Sequence, residues 1–301
     1  MSDLIIIGAG PAGITAGIYA ARKKIDSLII SKDVGGQTAL SADVENYTGY
    51  QFITGPELVT KFEEHLEQFN VPFKNNEEVR RIVKGKKGFF VVETLVGSYQ
   101  ARAVIIASGR RSRLLGALGE EKFRNKGVSY CATCDGPLFA KKIVAVIGGG
   151  NSALDATLQM MNIAQKVYLV DINPFLGGDQ IMREKVRSAG NVEILNNAVA
   201  KEILGEQFVK AIKVEQGGVV HTLDVEGVFV EIGSTPNSDI LEGLATNKAG
   251  EITVDSLNRT NIPGIFAAGD VTDIPEKQII VAAGEGAKAI LGVFRYLSQL
   301  R

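Results

Sequence analysis

An α/β fold built from two similar units is predicted by three observations. Short apolar strands alternate with helical stretches along the chain. A glycine-rich turn joins a strand to a helix twice, at Gly8–Gly13 and at Gly148–Ala153. Each of these modules is followed by an apolar strand ending in glycine, AVIIASG over 103–109 and GVFVEIG over 227–233. Alternation of this kind gives parallel pairing, because a crossover helix returns the chain to run in the same direction.

The first element is the short buried strand LIII. It runs into Gly8-Ala9-Gly10-Pro11-Ala12-Gly13 and then into the small-residue helix ITAGIYAARKK. GxGxxG between a strand and a helix has a specific physical logic. Gly8 allows the tight turn, Gly10 lets the backbone approach a pyrophosphate, and Gly13 lets helix and strand pack closely. The helix N-terminus then presents free N–H groups and a favourable dipole to the phosphates. The second module repeats the phrase. Strand Ile143–Ile147 leads to Gly148, Gly150, Asn151, Ser152 and Ala153, a GxGxxA variant.

Two dinucleotide modules in one chain imply two dinucleotides, commonly a flavin and a nicotinamide. An acid at the end of the next strand identifies which is which. In VYLVDIN, Asp171 stands 21 residues after Gly150. A carboxylate there is expected to accept from both ribose hydroxyls of NADH and to repel a 2′-phosphate. The next arginine is Arg183, so NADH is expected over NADPH. In the first module the equivalent stretch is IISKDVGGQ. There Asp33 is a candidate for the ribose role, although Ser31 and Lys32 stand where a clearer motif has its acid.

Composition narrows the classes. The 301 residues suffice for two domains, with 45% apolar and 22% charged residues, as in a globular protein. A net charge of −1 without a basic block disfavours nucleic acid and anionic membranes as partners. No run approaches a membrane span. The apolar run Leu4–Ile7 is too short for a signal peptide and has no basic residue before it. A reducing cytoplasmic compartment is therefore expected, where a CxxC reads as catalytic or metal-binding.

Cys131 and Cys134 are the chain's two cysteines. A disulfide between them closes so short a loop that chain entropy contributes only about 2 kcal/mol, which makes a poor structural clip. Zinc needs four ligands, and the two histidines, His65 and His221, lie far from the pair in sequence. Redox exchange suits the spacing, with one sulfur attacking and its neighbour resolving. CATCDG is expected to form a short helical turn ended by Gly136-Pro137, with Cys131 at its N-terminal end. Asp135 adds negative charge beside the sulfurs and is the candidate proton donor for leaving thiolates.

GxGPAG near the N-terminus, CATCDG before the second glycine turn and GIFAAGDV over 264–271 together resemble the low-molecular-weight thioredoxin reductases. CDGPLF running into the second strand and EKQIIVAAGEGAKAILGVFRYL over 276–297 look more like the flavoprotein component of alkyl hydroperoxide reductase. The resemblance implies two Rossmann-like domains of three-layer ββα type. An FAD domain would comprise 1–115 and 245–301, with an NAD(H) domain, 116–244, inserted in it and carrying the CxxC. It implies that Gly35, Gly36, Gln37, Asn46, Gly109, Gly269, Asp270, Val271, Gln278 and Ile279 join the first glycine turn around FAD. Gly233 would close the nicotinamide side. It further implies that Cys134 faces the flavin, Cys131 attacks the acceptor, the inserted domain rotates about linkers near 115 and 245, and the protein is a homodimer.

The chain departs from those families in two places. VDIN replaces the basic HRR cluster by which thioredoxin reductases hold NADPH. Gly8-Ala9-Gly10 opens the chain where the peroxide-system flavoprotein carries thioredoxin-like domains, so the expected acceptor is a separate thioredoxin- or glutaredoxin-like protein. The leading expectation is an FAD-containing pyridine nucleotide-disulfide oxidoreductase fed by NADH. Three alternatives share these residues: a reductase fed by ferredoxin or reduced flavin, an NADH oxidase, and a non-catalytic redox sensor.

Overall fold

The structure is a computed structural model. It describes residues 1–300 except 41, 42, 45, 86, 87, 125 and 131, and for residues 40, 43, 133 and 134 the backbone alone. The chain forms two compact units, Met1–Arg111 with Thr235–Arg301, and Ser112–Ser234. No described helix is long and apolar enough to cross a membrane.

The first unit begins with β1 (Ser2–Ala9), α1 (Pro11–Arg22) and β2 (Ser27–Val34). It continues through β3 (Asp43–Val44), β4 (Ile53–Thr54), α2 (Gly55–Glu67), β5 (Phe73–Lys74), β6 (Val79–Lys84), β7 (Phe90–Thr94) and β8 (Ser98–Ile106), and ends with β9 (Arg110–Ser112). Among the described residues its main sheet runs β5-β2-β1-β8-β7-β6, and a late strand also pairs with β8. β1 lies parallel between β2 and β8. This explains why LIII is apolar without alternation: both faces are covered. Leu4 and Ile6 pack with Ile14 and Ile18 of α1, while Ile5 and Ile7 pack with Ile30, Val104 and Val271 on the opposite face. α2 starts at a capping box in which Thr54 and Glu57 satisfy each other's backbone amides.

The second unit contains β10 (Val128–Ser129), α3 (Ala132–Asp135), β11 (Ile143–Ile147), α4 (Asn151–Ile163), β12 (Lys166–Val170) and α5 (Gln180–Ser188). These are followed by β13 (Val192–Leu195), β14 (Ala198–Gly205), β15 (Val209–Gln216), β16 (Val219–Asp224) and β17 (Gly227–Val230). A parallel sheet, β10-β17-β11-β12-β13, is accompanied by the antiparallel β14-β15-β16. Val144 and Val146 face α4 through Leu154 and Met160. Ala145 and Ile147 face the antiparallel strands through Ile212 and Val214. Sheet, helices and meander form three layers.

The chain returns through β18 (Ser234–Pro236), then β19 (Ile265–Ala267), which pairs parallel with β8, and α6 (Ile279–Gln299). β9 and β18, where the chain leaves and re-enters the first unit, pair with each other. Strict strand–helix alternation does not hold everywhere. β6, β7 and β8 follow one another antiparallel, as do β14–β16. The two compact units divide at 111/112 and 234/235. Leu115 packs with the second unit's core. Residues 235–244 join the first unit, where the Ile240 carbonyl accepts from Ile82 N–H at 2.6 Å and Leu241 bridges to Ile82.

The same backbone solution occurs in both units. Gly8 has φ +103° and Gly148 has φ +131°. A Cβ on Gly8 would overlap the Ala107 carbonyl, and one on Gly148 would overlap the Glu231 carbonyl. Gly148→Ala should therefore lower unfolding stability by at least about 2 kcal/mol, combining left-handed strain with a backbone collision. Urea denaturation of the purified variant measures this.

Candidate functional site

Each glycine turn delivers a helix whose first amides lack a side-chain acceptor. α1 is entered through Gly10 and α4 through Gly150, and neither cap makes a side-chain hydrogen bond. α2 and α5, by contrast, are capped by Thr54 and Asp179. Orphan N–H groups at a helix start need partners, and a pyrophosphate supplies them with complementary charge.

Around the first turn, a Cβ on Gly36 would be in ordinary contact with Gly10 Cα at 3.8 Å. One on Gly269 would lie 3.0 Å from the Ala12 methyl. Gly13 and Ala12 form the first turn of α1 after Pro11, and Gly35 is buried beside them. Gln37 Nε2 donates to the Arg110 carbonyl at 3.4 Å, and Arg110 Nη1 donates to the Asp270 carbonyl at 3.5 Å. Gly109, next to Arg110, accepts from Asn237 N–H. Val271 is fully buried. Gln278 caps the N-terminus of α6 just before Ile279, and its Oε1 accepts from Asn46 Nδ2 at 3.1 Å. All the residues expected around FAD thus lie in the first unit. Asp33 is exposed, whereas the Ser31 hydroxyl beside it is buried and accepts from Ala9 N–H at 3.0 Å. Ser31 therefore braces the glycine turn.

The sequence reading missed a charged cluster here. Glu251 Oε1 lies 2.7 Å from Arg110 Nη1 and 3.0 Å from Lys277 Nζ. Burial alone would raise the Glu251 carboxyl. Hydrogen bonds from Asn247, Arg110 and Lys277 outweigh it and hold the group at about 2. Asp270 is raised by burial, with Lys277 and Arg110 opposing.

In the second unit, Gly148, Gly150, Asn151, Ser152 and Ala153 open α4, and Asn151 Oδ1 accepts from Asp179 N–H at 2.7 Å. Asp171 follows β12 and is 2% exposed. Its carboxylate lies where a Cβ on Gly149 would be. Its Oδ1 accepts from Asn173 N–H at 3.2 Å and Asn173 Nδ2 at 3.1 Å. Oδ2 is buried without a partner among the described residues. A buried, unpaired acceptor beside an open helix N-terminus fits a ribose hydroxyl well. Gly233 (φ +90°) accepts from Arg113 N–H at 3.0 Å at the far end of the same unit's closing strand.

Cys131 lies outside the described residues. Cys134 belongs to α3, but only its backbone is described. Asp135 is the partly exposed last residue of α3. The α-helical turn ends there, but Gly136–Phe139 continue as a 3₁₀ turn, since proline is tolerated in a first helical turn. That turn is anchored from below. Phe139 meets Phe229 edge-on at 5.2 Å, and a Cβ on Gly136 would come within 3.0 Å of Met160 Sδ in α4.

Two carboxyls that hold Tyr130 and Ala132 were also missed. Glu120 accepts from Leu115 N–H at 2.7 Å, Gly116 N–H at 2.6 Å and the Tyr130 hydroxyl at 2.7 Å. Burial, reinforced by Glu120, raises the Tyr130 phenol. Glu231 Oε1 accepts from Ala132 N–H at 3.4 Å. Burial lifts the Glu231 carboxyl to about 7, the Ala132 amide opposes this, and Asp155 adds to it. The available signal was the internal repeat, in which Glu231 of GVFVEIG aligns with Ala107 of AVIIASG.

Two units, each with a glycine turn feeding an open helix, define a two-nucleotide α/β protein. Residues 2–286 match the pyridine nucleotide-disulphide oxidoreductase family, and the chain belongs to it. It is 41% identical over 299 residues to an NADH dehydrogenase of Ferdinandcohnia aciditolerans, covering 98% of this chain and 57% of that protein. It is 40% identical over 307 residues to the F subunit of alkyl hydroperoxide reductase from Escherichia coli K12, covering 99% and 59%. The chain thus spans less than two thirds of the length of these relatives. Thioredoxin reductase from Lactococcus lactis superposes with a TM-score of 0.90 at 34% identity, covering 99% of this chain and 100% of that one.

The two shifted carboxyls give opposite pH signatures. Glu251 is lowered, so its contribution is present above its unfolded value near 4.5 and is lost as pH falls towards about 2. Glu251→Gln should cost about 1–3 kcal/mol at neutral pH, and thermal melts across pH should show the gap closing below 4.5. Glu231 is raised, so ionising it weakens the fold as pH climbs from 4.5 through about 7. Glu231→Gln should melt above the parent at pH 8 and match it at pH 4.

Proposed function

We propose that the protein is an FAD-dependent disulfide reductase that takes electrons from NADH. It passes them through Cys131 and Cys134 to the disulfide of a thioredoxin- or glutaredoxin-like protein. The observation that carries this reading is the turn Ala132–Phe139, next to Cys131 in sequence, packed through Ala132, Gly136 and Phe139 against α4, the helix opened by the second glycine turn. The names of the relatives, a thioredoxin reductase and a component of an alkyl hydroperoxide reductase, support the same reading.

In this reading the first unit holds FAD. Gly8, Gly10, Pro11, Ala12 and Gly13 present the α1 amides to its pyrophosphate. Gly35, Gly36, Gln37, Asn46, Gly109, Gly269, Asp270, Val271, Gln278 and Ile279 line the remainder. When bound, FAD supplies the link between a two-electron hydride donor and a disulfide. The second unit holds NADH on Gly148, Gly150, Asn151, Ser152 and Ala153, with Asp171 on the adenosine ribose and Gly233 towards the nicotinamide. A buried carboxylate repels the 2′-phosphate of NADPH. The loop from Asp171 to Asp179 has no lysine or arginine, and Arg183 beyond it is engaged with the Leu176 carbonyl at 3.2 Å.

Cys131 as thiolate attacks the partner's disulfide and forms a mixed disulfide. Cys134 then displaces the partner, which leaves as a dithiol while the Cys131–Cys134 disulfide re-forms. Asp135 carries protons to the leaving sulfurs. Per cycle, NADH, one proton and a disulfide give NAD⁺ and a dithiol.

Anaerobic NADH should bleach the visible flavin absorbance within a stopped-flow trace, and an unchanged spectrum overturns the NADH reading. Asp171→Ala should weaken NADH by about 1–3 kcal/mol, the usual consequence of unpaired hydroxyls, seen as a raised Michaelis constant. Cys134→Ser should retain bleaching and lose reduction of protein disulfides. The relative named NADH dehydrogenase favours a second reading, in which oxygen or another non-disulfide acceptor takes the electrons. Full NADH turnover by Cys134→Ser would select it.

A further inference from the structure

Two orphan acceptors stand side by side in the second unit. Among the described residues, three buried side-chain oxygens lack a hydrogen-bond partner: Asp171 Oδ2, Asn196 Oδ1 and Asn258 Oδ1. Asn258 lies in the first unit. The other two follow neighbouring parallel strands. Val170 pairs with Leu195 where β12 and β13 end, and the Asp171 N–H donates to the Leu195 carbonyl at 2.9 Å. Asp171 and Asn196 are the next residues, on strands about 5 Å apart, where paired side chains share a face. Both stand at the carboxyl end of the parallel sheet, the edge at which open α/β folds take their ligands.

The corner itself does not require an orphan. The first unit makes the same turn after β5, where Ile30 pairs with Lys74 and the next residues are Ser31 and Asn75. Asn75-Asn76 there matches Asn196-Asn197 here, and the second asparagine of each pair has a left-handed backbone, with φ +58° and +50°. Glu77 N–H donates to the Ser31 carbonyl, just as Ala198 N–H donates to the Asp171 carbonyl. In the first unit Asn75 Oδ1 accepts from Asn76 N–H at 2.8 Å. In the second, Asn197 N–H goes instead to the Asn173 carbonyl at 3.0 Å, and Asn196 Oδ1 is left without a donor. Asp171 Oδ1 already holds two donors from Asn173, so Oδ2 is the acceptor that stays open. A buried acceptor left unpaired is costly. Two of them on adjacent strands call for a ligand with two adjacent donors, and a vicinal diol is such a ligand.

We propose that Asp171 Oδ2 and Asn196 Oδ1 each take one hydroxyl of the adenosine ribose, which makes Asn196 a second specificity-determining residue for NADH. The proposal rests on the NADH reading above. A 2′-phosphate replaces one of the two donors with an anion, so NADPH forfeits a hydrogen bond to this pair and meets the Asp171 charge. Between Ile172 and Asp179 only Leu176 is buried. The loop that leaves Asp171 therefore has few contacts to break when the sugar enters.

The test is isothermal titration of the oxidised, FAD-loaded protein with NAD⁺ and with two analogues whose adenosine lacks the 2′- or the 3′-hydroxyl. The unsubstituted protein should bind each analogue about tenfold more weakly than NAD⁺. Asn196→Ala should lower NAD⁺ affinity about tenfold. It should leave the affinity for one analogue unchanged, because the hydroxyl that Asn196 meets is already missing there. Asp171→Ala should be insensitive in the same way to the other analogue. Flavin absorbance reports folding of both variants. If Asn196→Ala weakens all three dinucleotides by one factor, or weakens none, the proposal is overturned. Should that variant fold poorly, the unsubstituted protein decides. A loss with both analogues supports the proposal, and either analogue binding as tightly as NAD⁺ overturns it. An unsubstituted protein that does not bind NAD⁺ overturns the NADH reading as well. Binding of NAD⁺ without the coupling removes the role of Asn196 alone.

Discussion

The close approach of a glycine turn to the carbonyl of a neighbouring parallel strand is the constraint on which both units depend. Gly8 sits against Ala107 and Gly148 against Glu231. Because β1 and β11 are central strands, this contact fixes where α1 and α4 begin relative to their sheets. Everything proposed to meet a nucleotide is then placed by short range from that point: Gly36 and Gly269 around α1, Asp171 against Gly149 beside α4. A side chain at either turn would displace the helix start, and the uncapped amides with it.

The two units treat charge differently. In the first, Glu251 is embraced by Arg110 and Lys277, and the cluster is neutralised internally. In the second, Asp171 and Glu231 have amide partners and, among the described residues, no ion pair. An uncompensated buried acid is costly, and it persists where an approaching group or a proton completes it. A hydroxyl would complete Asp171 and a proton completes Glu231. This is why one titrates far below neutrality and the other near it, although both Glu251 and Glu231 are glutamates in partly buried surroundings.

What could be read from the sequence was local. The glycine turns, the strands LIII and IVAVI, and Asp171 all announce themselves within a few residues, because turn geometry and two-faced burial leave a local pattern. Glu231 was not legible as a site residue because its partner Ala132 is 99 positions away. The Arg110–Glu251 pair spans 141 positions. The antiparallel β14–β16 layer was hidden because its strands alternate too weakly to be told from loops beside apolar runs. The return point of the chain is likewise set by distant contacts. Residues 235–244 have no motif, and their allegiance is decided by Ile82, far upstream.

The paired strands β9 and β18 carry a consequence for how such a chain could be assembled. The whole stretch from Ser112 to Ser234 leaves and returns through hydrogen-bonded neighbours. That stretch is therefore an insertion whose two ends lie side by side. The entropy of closing a loop grows only slowly with its length, so the host tolerates an insertion of any size whose ends meet. The second unit is thereby a cassette: a different compact module with equally close termini would leave the register of β1, β8 and β19 untouched.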